Sequence, residues 1–232
     1  MENALLECRD LEKTFRVRGR EIAVLNGVDF AVKPGEIVTI TGRSGEGKSV
    51  LLWLLSGLDR PDSGQVVFKG RPLSGLSNRE LARLRRDEIG IIFQNFNLVA
   101  SWTAVENVES AMRHNGMSPP ERRRKAVAAL AELGLGDRLD NLPAELSIGQ
   151  QQRVAIARTL SNDPTLILAD EPTGDVDPET AREILELLLA PVREKGATLI
   201  VATHGNFPLD EAHRVLVLKD GRLTELAASN IT

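Results

Sequence analysis

The residues Gly42-Arg43-Ser44-Gly45-Glu46-Gly47-Lys48-Ser49 combine glycines, a lysine and hydroxyls at the spacing of a loop that cradles phosphate. They follow the apolar run Ile37-Val38-Thr39-Ile40 and lead into Val50-Leu51-Leu52-Trp53-Leu54-Leu55, so the stretch reads strand, tight turn, helix. Glycines let the backbone curl until successive N–H groups point at phosphate oxygens, and the positive end of the helix favours the anion. Lys48 is expected to reach the β- and γ-phosphates, and the Ser49 hydroxyl to ligate Mg²⁺. Binding of a nucleoside triphosphate follows as the expectation.

Such a loop needs an acidic counterpart, and Leu166-Ile167-Leu168-Ala169-Asp170-Glu171 supplies one. Four small or apolar residues predict a buried parallel strand that delivers two acids at its carboxyl end, where ligands of open α/β sheets sit. Asp170 is expected to hold Mg²⁺ through its water shell, and Glu171 to polarise the water that attacks the γ-phosphate. Between the two elements, Leu146-Ser147-Ile148-Gly149-Gln150 precedes a run with apolar positions at 154, 156, 157 and 160. Ser147 has the character of an N-cap, and the helix start is a second potential anion site. A capped surface helix is the plain structural alternative.

Several kinds of element must position these residues. Short alternating runs, Val24-Leu25 and Val28 to Val32, the turn Lys33-Pro34-Gly35-Glu36, and the strand-like Gln65 to Gly70 predict a small antiparallel sheet beside the phosphate-loop core. From about residue 100 to 160 the pattern turns helical, with Val105 to Met112, Pro119 to Leu133 and the helix after Ser147. Pro164, Pro172 and Pro178 are read as turns of the last third. The fold class expected is therefore α/β, a mostly parallel sheet with flanking helices, with an antiparallel β subdomain and an inserted helical one.

With 232 residues, 42% hydrophobic and 27% charged, the composition is that of an ordinary globular chain. A net charge of −4 gives no reason to expect nucleic-acid contact, so the basic run Arg122-Arg123-Arg124-Lys125 reads as a solvated face. Cys8 is the only cysteine, which excludes an internal disulfide and fits a reducing compartment. The start Met1-Glu2-Asn3-Ala4 lacks the order of a signal peptide, and the apolar stretch Val50 to Leu58 is too short to cross a bilayer. If a membrane matters, a partner is expected to supply it.

Taken in order, the phosphate loop, Gln94, Leu-Ser-x-Gly-Gln, Asp170-Glu171 and His204 resemble the ATP-binding cassette family, from about Leu5 to Leu226. The resemblance implies one nucleotide-binding domain over 1–232, with a helical signature subdomain inserted at about 95–160, that binds ATP and Mg²⁺ and hydrolyses ATP. It implies a homodimer in which Ser147, Gly149 and Gln150 of one subunit cap the γ-phosphate held by the loop of the other. Gln94 matches a glutamine that touches Mg²⁺ and senses a membrane partner, and His204, after Thr198 to Thr203, matches a histidine contacting the γ-phosphate. Phe15 sits where the family places an aromatic on adenine; the bland alternative is a core residue. Position 50, occupied by Val50, usually holds a threonine near the α-phosphate.

The run Glu171-Pro172-Thr173-Gly174-Asp175-Val176-Asp177, together with Ile89 to Leu98 and Glu106-Asn107-Val108, resembles the lipoprotein-releasing, macrolide-exporting and cell-division branch. That branch implies an integral membrane permease subunit as partner, a peripheral location on the cytoplasmic face of the inner membrane, and no nucleic acid. Departures are Asp175 for Asn, Ile148 for the first signature glycine, Gly205 after His204 where Asp is common, and Val50. Glu46 adds a negative charge within the loop, its side chain expected to face solvent. Other readings stay open: a regulatory cassette with little turnover, a cell-division complex without cargo, or a cassette acting on nucleic acid or the ribosome. Val99, Ala100 and Trp102, apolar in an expected mobile segment from Asn95 to Val105, are expected to line a groove for a short cytoplasmic helix of the permease.

Overall fold

The computed structural model describes residues 4–174, 176–204, 208 and 211–226. In chain order the strands are β1 (Leu6–Val17), β2 (Arg20–Val32), β3 (Ile37–Thr41), β4 (Ser63–Phe68), β5 (Arg71–Pro72), β6 (Ile89–Ile92), β7 (Leu166–Asp170), β8 (Thr198–Thr203), β9 (Arg214–Lys219) and β10 (Arg222–Glu225). The helices are α1 (Lys48–Leu55), α2 (Asn78–Asp87), α3 (Ala104–Ala111), α4 (Pro119–Glu132), α5 (Ile148–Leu160) and α6 (Pro178–Lys195).

Strands β1 and β2 form one long hairpin rather than the short runs expected. Its two-residue turn, Arg18-Gly19, has φ of 50° and 79°, the doubly positive geometry whose twist matches the flanking strands. With β4 and β5 they make an antiparallel sheet in the order β2-β1-β4-β5. The second sheet runs β10-β9-β3-β8-β7-β6, parallel from β9 to β6 with β10 antiparallel at its edge. Every residue of β7 and β8 is buried, as a sheet covered on both faces requires.

Helix α1 packs with β1, β3 and β4 in one apolar cluster that joins both sheets. On the other face, Ile184, Leu188 and Leu189 of α6 bury Ile167, Leu199 and Val201. Helices α3, α4 and α5 enclose a separate core, centred on Val105, Met112, Leu130 and Val154.

Two helices escaped the periodicity reading. Helix α2, Asn-Arg-Glu-Leu-Ala-Arg-Leu-Arg-Arg-Asp, turns only Leu81 and the half-buried Leu84 onto the core, so its apolar stripe is two leucines wide in an otherwise charged sequence. Its start is nonetheless marked by a reciprocal Ser77–Glu80 cap. Pro178, expected in a turn, is the first residue of α6, where a missing N–H costs nothing, and Asp177 caps it by accepting from the Glu179 and Thr180 N–H groups. Among the described residues, no helix is long and apolar enough to cross a membrane.

Candidate functional site

Parallel pairing brings distant sequence to one edge of the sheet. Thr41 pairs with Thr203, Ala202 with Asp170 and Ala169 with Ile92. The carboxyl ends of β3, β8, β7 and β6 therefore place the loop 42–47, His204, Asp170-Glu171 and Gln94 side by side. Phe15, Val24, Lys48, Gln94, Glu171 and His204 all line one cavity of about 380 Å³ there, as do Ser44, Gly45, Gly47, Ser49 and Val50. Val24 is a member that the sequence reading missed. It enters because the hairpin lies across the loop, and no local signal in the chain announces that.

The loop is built by close approach. Gly47, at φ 96°, is the N-cap of α1, and a Cβ there would lie 2.4 Å from the Val24 side chain. Neither the backbone angle nor the space admits another residue. At Gly42 the obstacle is the Leu218 carbonyl of β9, 2.5 Å from where a Cβ would stand. Glu46 does not simply face solvent: its carboxylate accepts from the Asp220 backbone N–H at 2.9 Å, tying the loop to the β9–β10 turn and turning the charge away from the cavity.

Lys48 is buried, 6% exposed, and its ammonium donates to the carbonyls of Gly42 (2.8 Å) and Arg43 (3.2 Å). The same ammonium lies 3.4 Å from Glu171 Oε1. Glu171 Oε2 accepts from the His204 backbone N–H at 3.2 Å and lies 2.7 Å from His204 Nδ1. Glu171 itself adopts φ 46°, with its N–H bonded to the Ala202 carbonyl. A left-handed glutamate is costly, and this hydrogen bond together with the two cationic or donor neighbours holds it. The cluster can fix a carboxylate beside a phosphate-binding ammonium.

Asp170 is buried beside Ser49, and burial pushes its carboxyl above the ordinary value. The hydrogen bond from Ser49 opposes that push, the neighbouring Glu171 charge adds to it, and Lys48 lowers it. One of its oxygens, Oδ1, is buried without a hydrogen-bond partner. An orphaned carboxylate oxygen next to a hydroxyl suits Mg²⁺, which takes one or two protein oxygens and fills its other positions with phosphate and water. The described residues hold no cluster of three His, Cys, Asp or Glu side chains fit for a metal by itself. Asp170 and Ser49, with Gln94 at the rim, fit a metal that arrives with a nucleotide.

The signature residues do not join this cavity. Ser147 caps α5, its hydroxyl accepting from the Gln150 N–H at 3.3 Å while the Gln150 side chain accepts from the Ser147 N–H at 3.0 Å. Gly149 packs against α6, where a Cβ would meet the Thr180 methyl at 2.8 Å. Its glycine thus has a packing reason besides any contact with phosphate. Ile148 stands 48% exposed beside them. Within one chain the α5 terminus is a separate surface. Asp175 and Gly205, expected departures from the family pattern, lie outside the described residues.

The segment from Asn95 to Val105 is pinned at both ends. Arg158 of α5 donates to the Phe96 and Asn97 carbonyls at 2.7 and 2.6 Å, and both acceptors have positive φ. Fully buried Asn107 accepts from the Val99 N–H and donates to the Val99, Trp102 and Thr103 carbonyls. Asn107 lies in the Glu106-Asn107-Val108 run that carries the family resemblance, but neither its clamp role nor that of Arg158 could be read from the sequence, because their partners are backbone groups. Val99 and Ala100 are exposed and Trp102 is half-buried. The large groove nearby, about 840 Å³, is lined instead by residues of α2, β6, α3 and α5 together with loop residues that include Leu58, Phe93, Asn97, Arg113 and Asn162. Trp102 meets it only through Arg113, whose guanidinium lies 4.8 Å from the centre of the indole ring.

Known proteins share this arrangement. The family model described as ABC transporter matches residues 25–174. An uncharacterized ABC transporter ATP-binding protein of Thermotoga maritima is 47% identical, over 94% of this chain and 93% of that one. The lipoprotein-releasing system ATP-binding protein LolD of Idiomarina loihiensis is 42% identical over 96% and 98%. The macrolide export ATP-binding/permease protein MacB of Wolinella succinogenes is 43% identical, but the chain spans only 35% of its length. Among solved structures, a dimeric post-hydrolysis state of the ATP-binding cassette MJ0796 bound to ADP and Pi superposes with a TM-score of 0.89 at 38% identity, covering 96% of this chain and 99% of that one.

Proposed function

This chain belongs to the ABC transporter family, whose general activity is ATP hydrolysis, and we propose that it is the ATPase subunit driving a membrane permease of the lipoprotein-releasing or macrolide-export kind. The cassette extends over the whole chain, with the helical part at about 95–160 inserted into the nucleotide-binding core, and sits on the cytoplasmic face of the membrane through that permease.

One observation carries the reading: Lys48, Glu171 and His204 converge at the sheet edge, whereas Ser147, Gly149 and Gln150 lie on a different surface of the same chain. A cavity holding phosphate ligands on one wall, with a helix N-terminus displayed elsewhere, is complete only when two copies meet head to tail. The dimeric MJ0796 cassette supports this arrangement.

In the proposed cycle the loop N–H groups and Lys48 hold the phosphates, and Phe15 stacks on adenine. Mg²⁺, when bound with ATP by Asp170 and Ser49, neutralises phosphate charge. His204 donates from its backbone N–H, and from Nδ1 in the tautomer that carries the proton there, to keep the Glu171 carboxylate oriented. Glu171 then accepts a proton from the attacking water. Closure is a population shift: two ATP molecules at the interface favour the closed pair by their differential affinity, and hydrolysis removes that preference.

The test is phosphate release by the purified chain with ATP and Mg²⁺, together with gel filtration with and without ATP. Turnover that rises more steeply than linearly with protein concentration is expected of a dimeric catalyst. A chain that binds ATP but releases no phosphate, alone or with its membrane subunit, overturns the reading in favour of a regulatory cassette.

A further inference from the structure

Lys13 on β1 keeps only 9% of its surface in contact with solvent, and a lysine is buried that far only when it is paired. Its ammonium donates to the Arg60 carbonyl at 2.7 Å and lies 2.9 Å from a carboxylate oxygen of Asp59 and 3.8 Å from one of Asp62. The turn that carries these partners joins α1 to β4, and it is tied to β1 a second time. The Asp62 N–H donates to the Glu12 carbonyl, and the Asp62 carboxylate accepts from the Thr14 N–H. The head of Lys13 is therefore fixed. Two carboxylates that are 36% and 52% exposed would be met as well by a lysine out in water, so the ion pairs alone do not account for its burial.

What the burial does achieve is a contact with an aromatic ring. Residues two apart on a strand share a face, and the neighbour of Lys13 on that face is Phe15. The ammonium stands over the Phe15 ring, 5.3 Å from its centre, within reach of a cation–π contact. Phe15 is half-buried and lines the cavity of the phosphate loop, whereas Lys13 does not line it, so the cation meets the ring outside that cavity. Across the hairpin Phe15 pairs with Ile22, which is itself 48% exposed and gives the ring little lateral support. A half-buried phenylalanine close to a hairpin turn has more than one staggered rotamer open to it, and ordering it at the moment of binding costs affinity. An immobile ammonium over the ring removes that cost beforehand.

Resting on the reading that Phe15 stacks on adenine, we infer that Lys13 is a positioning residue for the nucleotide base, acting through the Phe15 ring that it holds in the stacking orientation.

Calorimetric titration of the full chain with ATP and with inorganic tripolyphosphate, which has the phosphates but no base, tests this. Lys13→Met should weaken ATP binding about fivefold, the scale of a partly desolvated cation–π contact, and leave tripolyphosphate binding unchanged. KM for ATP should rise in step while kcat stays within about twofold. Lys13→Arg keeps a cation over the ring and should restore most of the affinity. In a Phe15→Leu background, where no ring remains, Lys13→Met should cost nothing further. Equal losses toward ATP and tripolyphosphate, or a full loss in the Phe15→Leu background, would mean that Lys13 supports the loop and not the ring, and either overturns the inference. In the parent chain the ε-methylene protons of Lys13 should resonate upfield under the Phe15 ring current, with and without ATP. Ordinary shifts overturn the inference even where Lys13→Met fails to fold. A Phe15→Leu chain that binds ATP as the parent does overturns the stacking reading and the inference with it. Weakened ATP binding by Phe15→Leu beside an unaffected Lys13→Met overturns the role of Lys13 alone.

Discussion

The Lys48 ammonium lies 3.4 Å from one oxygen of Glu171, and both side chains are nearly buried, 6% and 9% exposed. The proposed phosphate ligand and the proposed base are thus one electrostatic unit. In the proposed cycle, a phosphate entering the loop would compete with Glu171 for Lys48, and the carboxylate so released would keep its contact with His204. Phosphate binding and activation of the proposed base would then be coupled through a single cation.

Glu171→Gln keeps the shape of the side chain and removes the base. Nucleotide affinity should stay within a few-fold of the parent, and turnover should fall at least about a hundredfold, the usual range for a general base. Gel filtration with ATP should show a stable dimer. Phosphate release at the parent rate would remove Glu171 from its assigned role.

Lys48→Ala should weaken ATP binding as well as abolish turnover. Loss of a charge-assisted contact in a buried site costs about 2 kcal/mol or more, roughly thirtyfold in affinity. Titration with a fluorescent ATP analogue checks this, and an unchanged affinity means that Lys48 does not hold the phosphates.

Asp170 predicts a pH dependence with a definite sign. Burial raises its folded pKa above the unfolded one, so the folded chain takes up the proton first as pH falls. This group therefore destabilises the fold at neutral pH, and the penalty disappears as pH drops below its raised pKa. Asp170→Asn should melt at or above the parent temperature at neutral pH and lose Mg²⁺-dependent hydrolysis. Calorimetry over a pH series without nucleotide tests this, and an Asn variant that melts lower at neutral pH contradicts it.

Asn107→Ala should strip the Val99–Thr103 turn of its clamp. It leaves one N–H and several carbonyls seeking water in a buried place, at about 2–4 kcal/mol in total. Urea unfolding should record the loss. A change of under about 0.5 kcal/mol would mean that solvent replaces the clamp without penalty.

Trp102→Ala should leave the fold and ATP binding intact, since the ring is only half-buried, while removing the support under Arg113. Recovery of the membrane subunit should fall about tenfold, the equivalent of about 1.4 kcal/mol for a desolvated cation–π contact. If the isolated variant unfolds, Trp102 is a core residue and Arg113 is positioned by something else.

What the chain determines by itself is whatever local spacing can encode. The phosphate loop, the apolar strands ending in Asp170 and Thr203, and the capped start at Ser147 depend on neighbours within a few residues. Their elements fall where alternation, glycines and caps predict. Tertiary structure alone decided which of them meet. Parallel pairing of β3, β8, β7 and β6 set Lys48 beside Glu171 and His204 and kept the Ser147 helix away from them. It also turned Glu46 onto the Asp220 N–H, placed Val24 against Gly47, and made Arg158 and Asn107 the clamps of the Gln94 segment. Helix α2 was hidden by its thin apolar stripe in spite of its cap, and the basic groove beside it by the scatter of its charges along the chain. Backbone carbonyls carry no side-chain signature, and charges scattered over 79–158 become one field only when the fold gathers them.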